Sequence, residues 1–165
     1  MNDLRFPTDK YFYDTCSLLL AGEQLFEKSE PFYISSITLK ELERIKTASN
    51  KDADIKYTAR FLLHNLESHP DRYEVVLHKT EYEKPILKAG FEVTDDTRIL
   101  ADAIYLDKKE DIVFVTNDLS LKHIANIFFG DGMIESIKED SDFYAGYKEV
   151  ICDDSLLANF YQDTT

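Results

Sequence analysis

Short apolar runs alternate along the chain with longer segments in which apolar residues recur every three or four positions. The runs predict β-strands, and the longer segments predict amphipathic helices. The predicted strands are residues 11–14, 32–37, 73–78, 112–116 and 133–137. The predicted helices are residues 15–26, a segment from Thr38, a segment from Ile55 to Leu66, residues 95–106, a segment opened by Asn117-Asp118, and residues 155–161. Residues 79–94 contain Pro85 and Gly90, show neither pattern and predict an irregular connection.

The regular alternation of strand and helix predicts an α/β fold with a parallel sheet and helices on both of its faces. The run IVFVT at 112–116 is apolar throughout, as expected of a strand covered on both sides. We expect a single domain over residues 1–165, with a core of about 10–138 and an acidic extension over 139–165. In such sheets the carboxyl ends of the strands form the ligand crevice.

Several carboxylates fall near that predicted edge. Asp14 follows the first strand and Asp118 follows the fourth, Glu41 lies inside the helix after the second strand, and Asp95 and Asp96 open the helix before the fourth. Each has an ordinary explanation on its own. Aspartate is a favoured helix cap and first-turn residue, and a lone glutamate in a helix is usually solvated.

Taken together, the acids indicate a different chemistry. Carboxylates brought close repel one another unless a cation neutralises them. Oxygen ligands without histidine or cysteine suit Mg²⁺ or Mn²⁺, and such ions activate water for attack on phosphodiesters. The chain has no glycine-rich phosphate loop and no evident Ser/His nucleophile. Asp102, six residues after Asp96, is the main competitor for the place of Asp96 among these acids. We expect it at the surface, because that spacing does not place it on one helical face with Asp96.

The charge distribution is uneven. The formal net charge of −13 repels nucleic acid on average, yet residues 37–64 carry a balance of +2 and residues 139–165 a balance of −6. The acidic tail either faces a partner or is a solvated surface. No apolar run reaches the length of a membrane span, and no secretory signal pattern is present. The two cysteines, Cys16 and Cys152, have no metal-ligand spacing, and a reducing cytoplasm is the simplest location to expect.

Four stretches in register carry a family resemblance. YFYDTCSLLL, ISSITLKELERIK, TDDTRILADAIYL and VFVTNDLSLKHIA, together spanning about residues 10–130, resemble the PIN-domain ribonucleases. A later stretch, DFYAGYKEVICDD at 142–154, is similar to the segment after the PIN domain in PhoH-like fusion proteins. The resemblance implies a three-layer α/β/α sandwich and a Mg²⁺- or Mn²⁺-dependent endoribonuclease that cuts single-stranded RNA to leave 5′-phosphate and 3′-hydroxyl ends. With right-handed crossovers, it also implies the strand order 3-2-1-4-5.

The resemblance assigns roles to individual residues. The metal-binding and catalytic acids would be Asp14, Glu41, Asp96 and Asp118, with Asp96 chosen because DTRILADA fits the family's D-x-x-I-x-A run. Thr116, Asn117 and Asp95 would support these acids from outside. Four basic residues beside the acidic segments would hold RNA phosphates, unless they are an ordinary solvated set: Lys40, Arg44, Arg98 and Lys122. Cys16 departs from the family, in which Asn or Ser often follows the first Asp-Thr pair.

Two other functions remain open at this level. One is a toxin of a toxin–antitoxin pair, in which the same chemistry is restrained by a protein partner. The other is a non-catalytic PIN-like binding module, in which the acids only cap helices. The partners to expect are single-stranded RNA and a protein partner or a fused ATPase domain, with no membrane. Association with further copies of the chain stays open.

Overall fold

The computed structural model describes residues 10–27, 31–49, 53–130 and 132–137. Within these residues the strands are β1 (Lys10–Tyr13), β2 (Phe32–Ser35), β3 (Tyr73–Val76), β4 (Ile112–Val115) and β5 (Ile134–Glu135). The α-helices are α1 (Thr15–Ala21), α2 (Ser36–Thr47), α3 (Ala53–Ser68), α4 (Lys84–Lys88), α5 (Asp95–Asp107) and α6 (Leu119–Phe128). Short 3-10 helices cover Gly22–Glu27, Pro70–Arg72 and Thr80–Glu83.

The five strands form one sheet in the order β3-β2-β1-β4-β5, and every neighbouring pair is parallel. The strand order expected from right-handed crossovers and the family resemblance is therefore confirmed, as is the α/β/α architecture. β1 occupies the centre, and its last residue, Tyr13, pairs with Val115 at the end of β4. The residues that follow these two strands consequently emerge side by side at the carboxyl edge.

Helices cover both faces of the sheet because successive strand residues point in opposite directions. Tyr13 packs into a cluster with apolar residues of α1, α2 and α3, whereas its neighbour Phe12 packs into a second cluster with residues of α4, α5 and α6. Phe114 and Val115 of β4 divide between the two clusters in the same way. The sheet is thus buried on both sides, which explains the continuous apolar run at 112–116.

Several predicted boundaries were wrong by a few residues for local reasons. β2 ends at Ser35 rather than residue 37, because the Ser35 hydroxyl caps α2 by accepting a hydrogen bond from the Ile37 amide at 2.9 Å. α1 ends at Ala21 rather than residue 26. Gly22 follows it with a positive φ of 53°, a conformation that glycine adopts without a steric penalty. The third strand ends at Val76, two residues earlier than expected.

The connection expected to be irregular at 79–94 contains ordered structure. It forms the 3-10 helix Thr80–Glu83 and then α4, which has a proline in its first turn and buries Ile86 completely. The predicted helix at 155–161 and the acidic extension at 139–165 lie outside the described residues. Among the helices that the structure describes, none is long and apolar enough to cross a membrane.

Candidate functional site

Asp14 occupies the first position beyond β1, at the centre of the carboxyl edge. Its backbone amide donates to Val115 O at 3.1 Å, which extends the β1–β4 ladder by one residue. Its side chain is 4% exposed and caps α1 by accepting from the Ser17 amide at 2.9 Å and the Ser17 hydroxyl at 2.6 Å. Burial, with a further contribution from the charge of Asp118, raises the pKa of Asp14 although Ser17 and Thr116 donate to it.

Thr116 connects the two acids that follow β1 and β4. Its hydroxyl donates to Asp14 Oδ2 at 2.5 Å and accepts from the backbone amide of Asp118 at 3.1 Å. Asp118 in turn caps α6, where its Oδ1 accepts from the Leu121 amide at 3.2 Å. Thr116 is fully buried and contacts both the Asp14 carboxylate and the Asp118 backbone.

Glu41 comes from α2, yet its carboxylate turns inward and is 8% exposed. Thr15 Oγ1 donates to Glu41 Oε1, and the same hydroxyl lies 3.1 Å from Thr38 Oγ1. Burial, followed by repulsion from Asp95 and Asp14, raises the pKa of Glu41 to about 7, against the hydrogen bond from Thr15 and the charge of Arg44. The ordinary explanation of a lone helix glutamate, a solvated side chain, therefore does not apply to Glu41, which lies beside the other acids of the edge.

Asp96 lies in the first turn of α5 and differs from the other three acids. Among the described residues it has no hydrogen-bond or ion-pair partner. Desolvation raises its pKa well above the usual value, and repulsion from Glu41, Asp14, Asp118 and Asp95 raises it further. The carboxylates after β1 and β4 and those on α2 and α5 thus act on one another electrostatically.

Asp95, the neighbour of Asp96, is surrounded by cations. Arg44 Nη2 lies 3.1 Å from Asp95 Oδ2, while Arg98 Nη1 and Lys40 Nζ lie 3.0 and 3.7 Å from Oδ1. Burial alone would raise the pKa of Asp95, but these cations lower it overall. Three of the four basic residues selected from the sequence therefore gather around Asp95 beside the acidic edge.

Asn117 and Lys122 are directed toward β5 in the contacts the structure defines. The Asn117 side chain accepts from the Ile137 amide at 2.8 Å and donates to Ile137 O at 3.1 Å. Lys122 Nζ donates to Ser136 Oγ at 2.8 Å, and that hydroxyl donates to Thr116 O at 2.9 Å. Asn117 therefore holds the chain after β5 next to the acids. Lys122 is connected to Thr116 through the Ser136 hydroxyl.

The expectation that Asp102 is a surface residue is wrong, because its side chain is 0% exposed. Ser35 Oγ donates to Asp102 Oδ2 at 2.6 Å, and His78 Nδ1 lies 2.7 Å from Asp102 Oδ1. The opposite ring nitrogen of His78 lies 2.6 Å from Glu83 Oε2. Sequence reasoning missed His78 and Glu83, since no local pattern in 78–83 indicates a partner on a helix 24 residues away.

The chemistry of the donor set fits Mg²⁺ or Mn²⁺, because four carboxylates from separate segments share one edge and no histidine or cysteine stands among them. The positions of these four carboxylates fit an ion less well than their chemistry does. Within the residues that the structure describes, no group of three or more His, Cys, Asp or Glu side chains is arranged to hold a metal. Asp14 and Asp118 each use an oxygen for a helix cap.

Comparisons with known proteins bear on the family. No curated protein matches the chain in sequence. Among solved structures, the crystal structure of VapBC2 from Rickettsia felis bound to a DNA fragment from their promoter is similar, with 18% identity and a TM-score of 0.46. The match covers 78% of this chain and 97% of that one. The sequence model described as the PIN domain matches residues 11–128, a span that contains all four acids. PIN domains are generally nucleases, and the chain belongs to the PIN domain family.

Proposed function

We propose that the chain is a metal-dependent endoribonuclease that hydrolyses phosphodiester bonds of single-stranded RNA. The observation that carries this proposal is the state of Asp96. A largely desolvated carboxylate without a hydrogen-bond or ion-pair partner among the described residues, repelled by three further acids and Asp95, is stabilised when a divalent cation binds between them.

Asp14, Asp96 and Asp118 would hold Mg²⁺ or Mn²⁺, and Glu41 would complete the site directly or through water. When bound, the cation supplies an activated water and stabilises the charge of the phosphodiester transition state. The chain keeps the donors oriented. Ser17 fixes Oδ1 of Asp14 with two hydrogen bonds, and Thr116 fixes Oδ2 with one, which leaves a lone pair free on Oδ2.

Burial raises the pKa of Glu41 to about 7, so in the metal-free chain this carboxylate is partly protonated near neutral pH. A cation that binds to Glu41 would displace that proton. The in-line attack expected from the family would leave 5′-phosphate and 3′-hydroxyl ends. Glu41 is held by Thr15, so its position does not depend on the substrate.

Lys40 and Arg44 would bind the RNA backbone beside the cut. Both are exposed and lie on α2 at the Asp95 side of the site. Arg98 lies deeper and Lys122 lies toward β5. Contacts of these side chains to phosphate oxygens would position the RNA backbone rather than read its sequence.

One observation favours the non-catalytic binding module as the second candidate. Asp14 and Asp118 both accept hydrogen bonds from the first turn of the helix they precede, which is the ordinary role of a helix cap. Capping alone, however, does not involve Asp96 or Glu41. These two residues therefore separate the candidates.

The test compares the parent with Asp96→Asn and with Asp71→Asn, an exposed aspartate in the 3-10 helix before β3. Calorimetry with Mn²⁺ alone measures binding, and a 5′-labelled single-stranded oligoribonucleotide measures cleavage. We expect the parent and Asp71→Asn to bind Mn²⁺ and to cut, and Asp96→Asn to lose both by at least tenfold. A parent that binds no Mn²⁺ and does not cut would leave the binding module as the function.

A further inference from the structure

A buried histidine bridges two carboxylates next to the proposed site. His78 Nδ1 lies 2.7 Å from Asp102 Oδ1, and His78 Nε2 lies 2.6 Å from Glu83 Oε2. Asp102 is fully buried, Glu83 is nearly so, and only about a tenth of the His78 side chain is exposed. Both distances are those of strong charge-assisted hydrogen bonds.

This geometry sets the number of protons in the bridge. A neutral imidazole has one N–H and one lone pair, so it can donate to only one of two ionised carboxylates. The second contact would then place a lone pair against a negative oxygen at 2.6–2.7 Å. The His78 bridge (Asp102, His78 and Glu83) therefore holds two protons, either as an imidazolium between two carboxylates or as an imidazole beside one protonated acid.

The bridge extends to the acidic edge through Arg98. Arg98 Nε donates to the same Glu83 oxygen at 3.3 Å, and Arg98 Nη1 donates to Asp95 at 3.0 Å. Asp95 directly precedes Asp96 in the first turn of α5. A continuous run of hydrogen bonds thus leads from the bridge to the start of the helix that carries the unpartnered acid.

The other end of the bridge is attached to the start of α2, the helix of Glu41. Ser35 Oγ donates to Asp102 at 2.6 Å, and the backbone amide of His78 donates to Ser36 Oγ at 2.9 Å. Ser35 caps α2 and Ser36 is its first residue. The bridge therefore joins α2 to α5, the two helices that carry Glu41 and Asp96.

From this arrangement we propose that His78 is a positioning residue of the nuclease site: its two-proton bridge sets the first turn of α5, and with it Asp96, against Glu41 on α2. This inference rests on the proposed function for its effect on cleavage. It does not rest on that function for the proton count, which is a property of the three side chains alone.

Among the described residues around His78, none supplies a partner that would make the second proton unnecessary. From α5 the bridge is faced by Asp102 and Arg98, and from the 3-10 helix by Glu83 and Tyr82, whose ring meets the imidazole edge-on at 6.4 Å. Tyr82 stacks on Tyr105 of α5, with Lys109 above that ring and Lys79 nearby. From β2 and α2 come only the hydroxyls of Ser35 and Ser36.

The bridge makes a specific prediction about Glu83→Gln. The glutamine amide can donate to His78 Nε2, so that contact survives with one proton fewer, but the same nitrogen cannot accept from Arg98 Nε, so the link to Arg98 is lost. Glu83→Gln should therefore keep the contacts of His78 and lose the connection from the bridge to Asp95, and its cleavage should fall between those of the parent and His78→Gln.

His78→Gln cannot span both carboxylates, and its expected effect differs from that of Glu83→Gln. We expect Mn²⁺-dependent cleavage to fall by about tenfold to a hundredfold, because a small displacement of a catalytic group lowers the rate by about that much. Apparent affinity for Mn²⁺ should weaken in parallel. His64→Gln, an exposed histidine of α3, is the matched control and should equal the parent. Circular dichroism confirms that every variant compared is folded.

Proton NMR of ¹⁵N-histidine-labelled protein tests the bridge without reference to activity. We expect two exchange-protected downfield protons assigned to the His78 bridge at about pH 7, both absent in His78→Gln. A single such proton overturns the bridge whether or not the chain cuts RNA. If the parent cuts RNA, and His78→Gln retains full cleavage and Mn²⁺ affinity, the positioning role is wrong while the proposed function stands. If the parent neither binds Mn²⁺ nor cuts, the proposed function fails, and the positioning role fails with it.

Discussion

Thr116 Oγ1 donates to Asp14 Oδ2 at 2.5 Å across the carboxyl ends of the two central strands. The same hydroxyl accepts from the Asp118 amide, so one buried side chain orders both acids. Replacing this hydroxyl by a methyl group changes the volume of the side chain little but removes both hydrogen bonds.

Thr116→Val should destabilise the protein by about 1–3 kcal/mol, because it leaves the Asp14 carboxylate short of a donor and the Asp118 amide short of an acceptor in a buried place. Thr116→Ser keeps the hydroxyl and should lose much less. Urea denaturation of the three proteins measures the difference. Equal midpoints for the parent and Thr116→Val would show that the hydroxyl contributes nothing to stability.

Asp118→Asn separates a metal site from a helix cap. Asparagine caps helices nearly as well as aspartate, and the substitution removes one of the repelling charges, so the metal-free protein should be as stable as the parent or slightly more so. Mn²⁺ at about 100 times its dissociation constant should stabilise the parent by about 2.7 kcal/mol and the variant far less. RNA cleavage should fall by orders of magnitude. Full Mn²⁺-dependent cleavage in the variant would exclude Asp118 as a ligand.

The stability of the metal-free protein should fall as the pH rises from about 4.5 to about 7. The pKa of Glu41 is raised to about 7, and those of Asp14 and Asp96 are raised as well, so the folded chain binds more protons in this window than the unfolded chain. Stability then decreases with pH until these groups have ionised. Asp95, whose pKa is lowered, acts in the opposite sense only at more acidic pH.

Thermal melts at half-unit pH steps check this behaviour, with EDTA in one series and Mn²⁺ in another. Glu41→Gln should flatten the slope near about pH 6–7 in EDTA, since the group that titrates there is gone. A parent protein whose melting temperature rises steadily from about pH 5 to about pH 7 in EDTA would contradict the raised pKa values.

Arg44→Ala should weaken RNA binding with little effect on folding. Arg44 is exposed and its pair with Asp95 is worth at most about 1 kcal/mol to stability. If it contacts a phosphate, the dissociation constant should rise for every RNA sequence and the salt dependence should drop by about one ion. Fluorescence anisotropy without divalent metal measures binding in the absence of cleavage. Lys108→Ala, at the far end of α5, serves as the control and should bind as the parent does.

The strand order was predictable from right-handed crossovers together with the family resemblance. The edge that carries Asp14 and Asp118 was predictable because both acids directly follow parallel strands. The end of α1 also had a visible signal in Gly22, although the apolar residues beyond it concealed the boundary. The burial of Asp102 was not predictable. Its environment is made by His78 and Ser35, which come from distant parts of the chain, and no local pattern records those contacts.

The site likewise divided into parts that the sequence revealed and parts that it did not. The acids after β1 and β4 follow from their places at the ends of strands, whereas the inward direction of Glu41 depends on the partner hydroxyl of Thr15 in another helix. The cations around Asp95 were selected for their charge. That three of them converge on one carboxylate reflects the packing of α2 against α5, which depends on side-chain fit rather than on composition.

The backbone amide of Asp14 belongs to the β1–β4 ladder, one rung beyond the last strand pair. Breaking that rung means opening the centre of a sheet that is buried on both faces, and such openings occur at close to the free energy of global unfolding. The amide proton of Asp14 should therefore exchange with solvent as slowly as those of Phe12 and Phe114. Substrate would then meet an acid whose backbone does not open on the timescale of turnover. Any structural adjustment needed to bind substrate would take place at the start of α5.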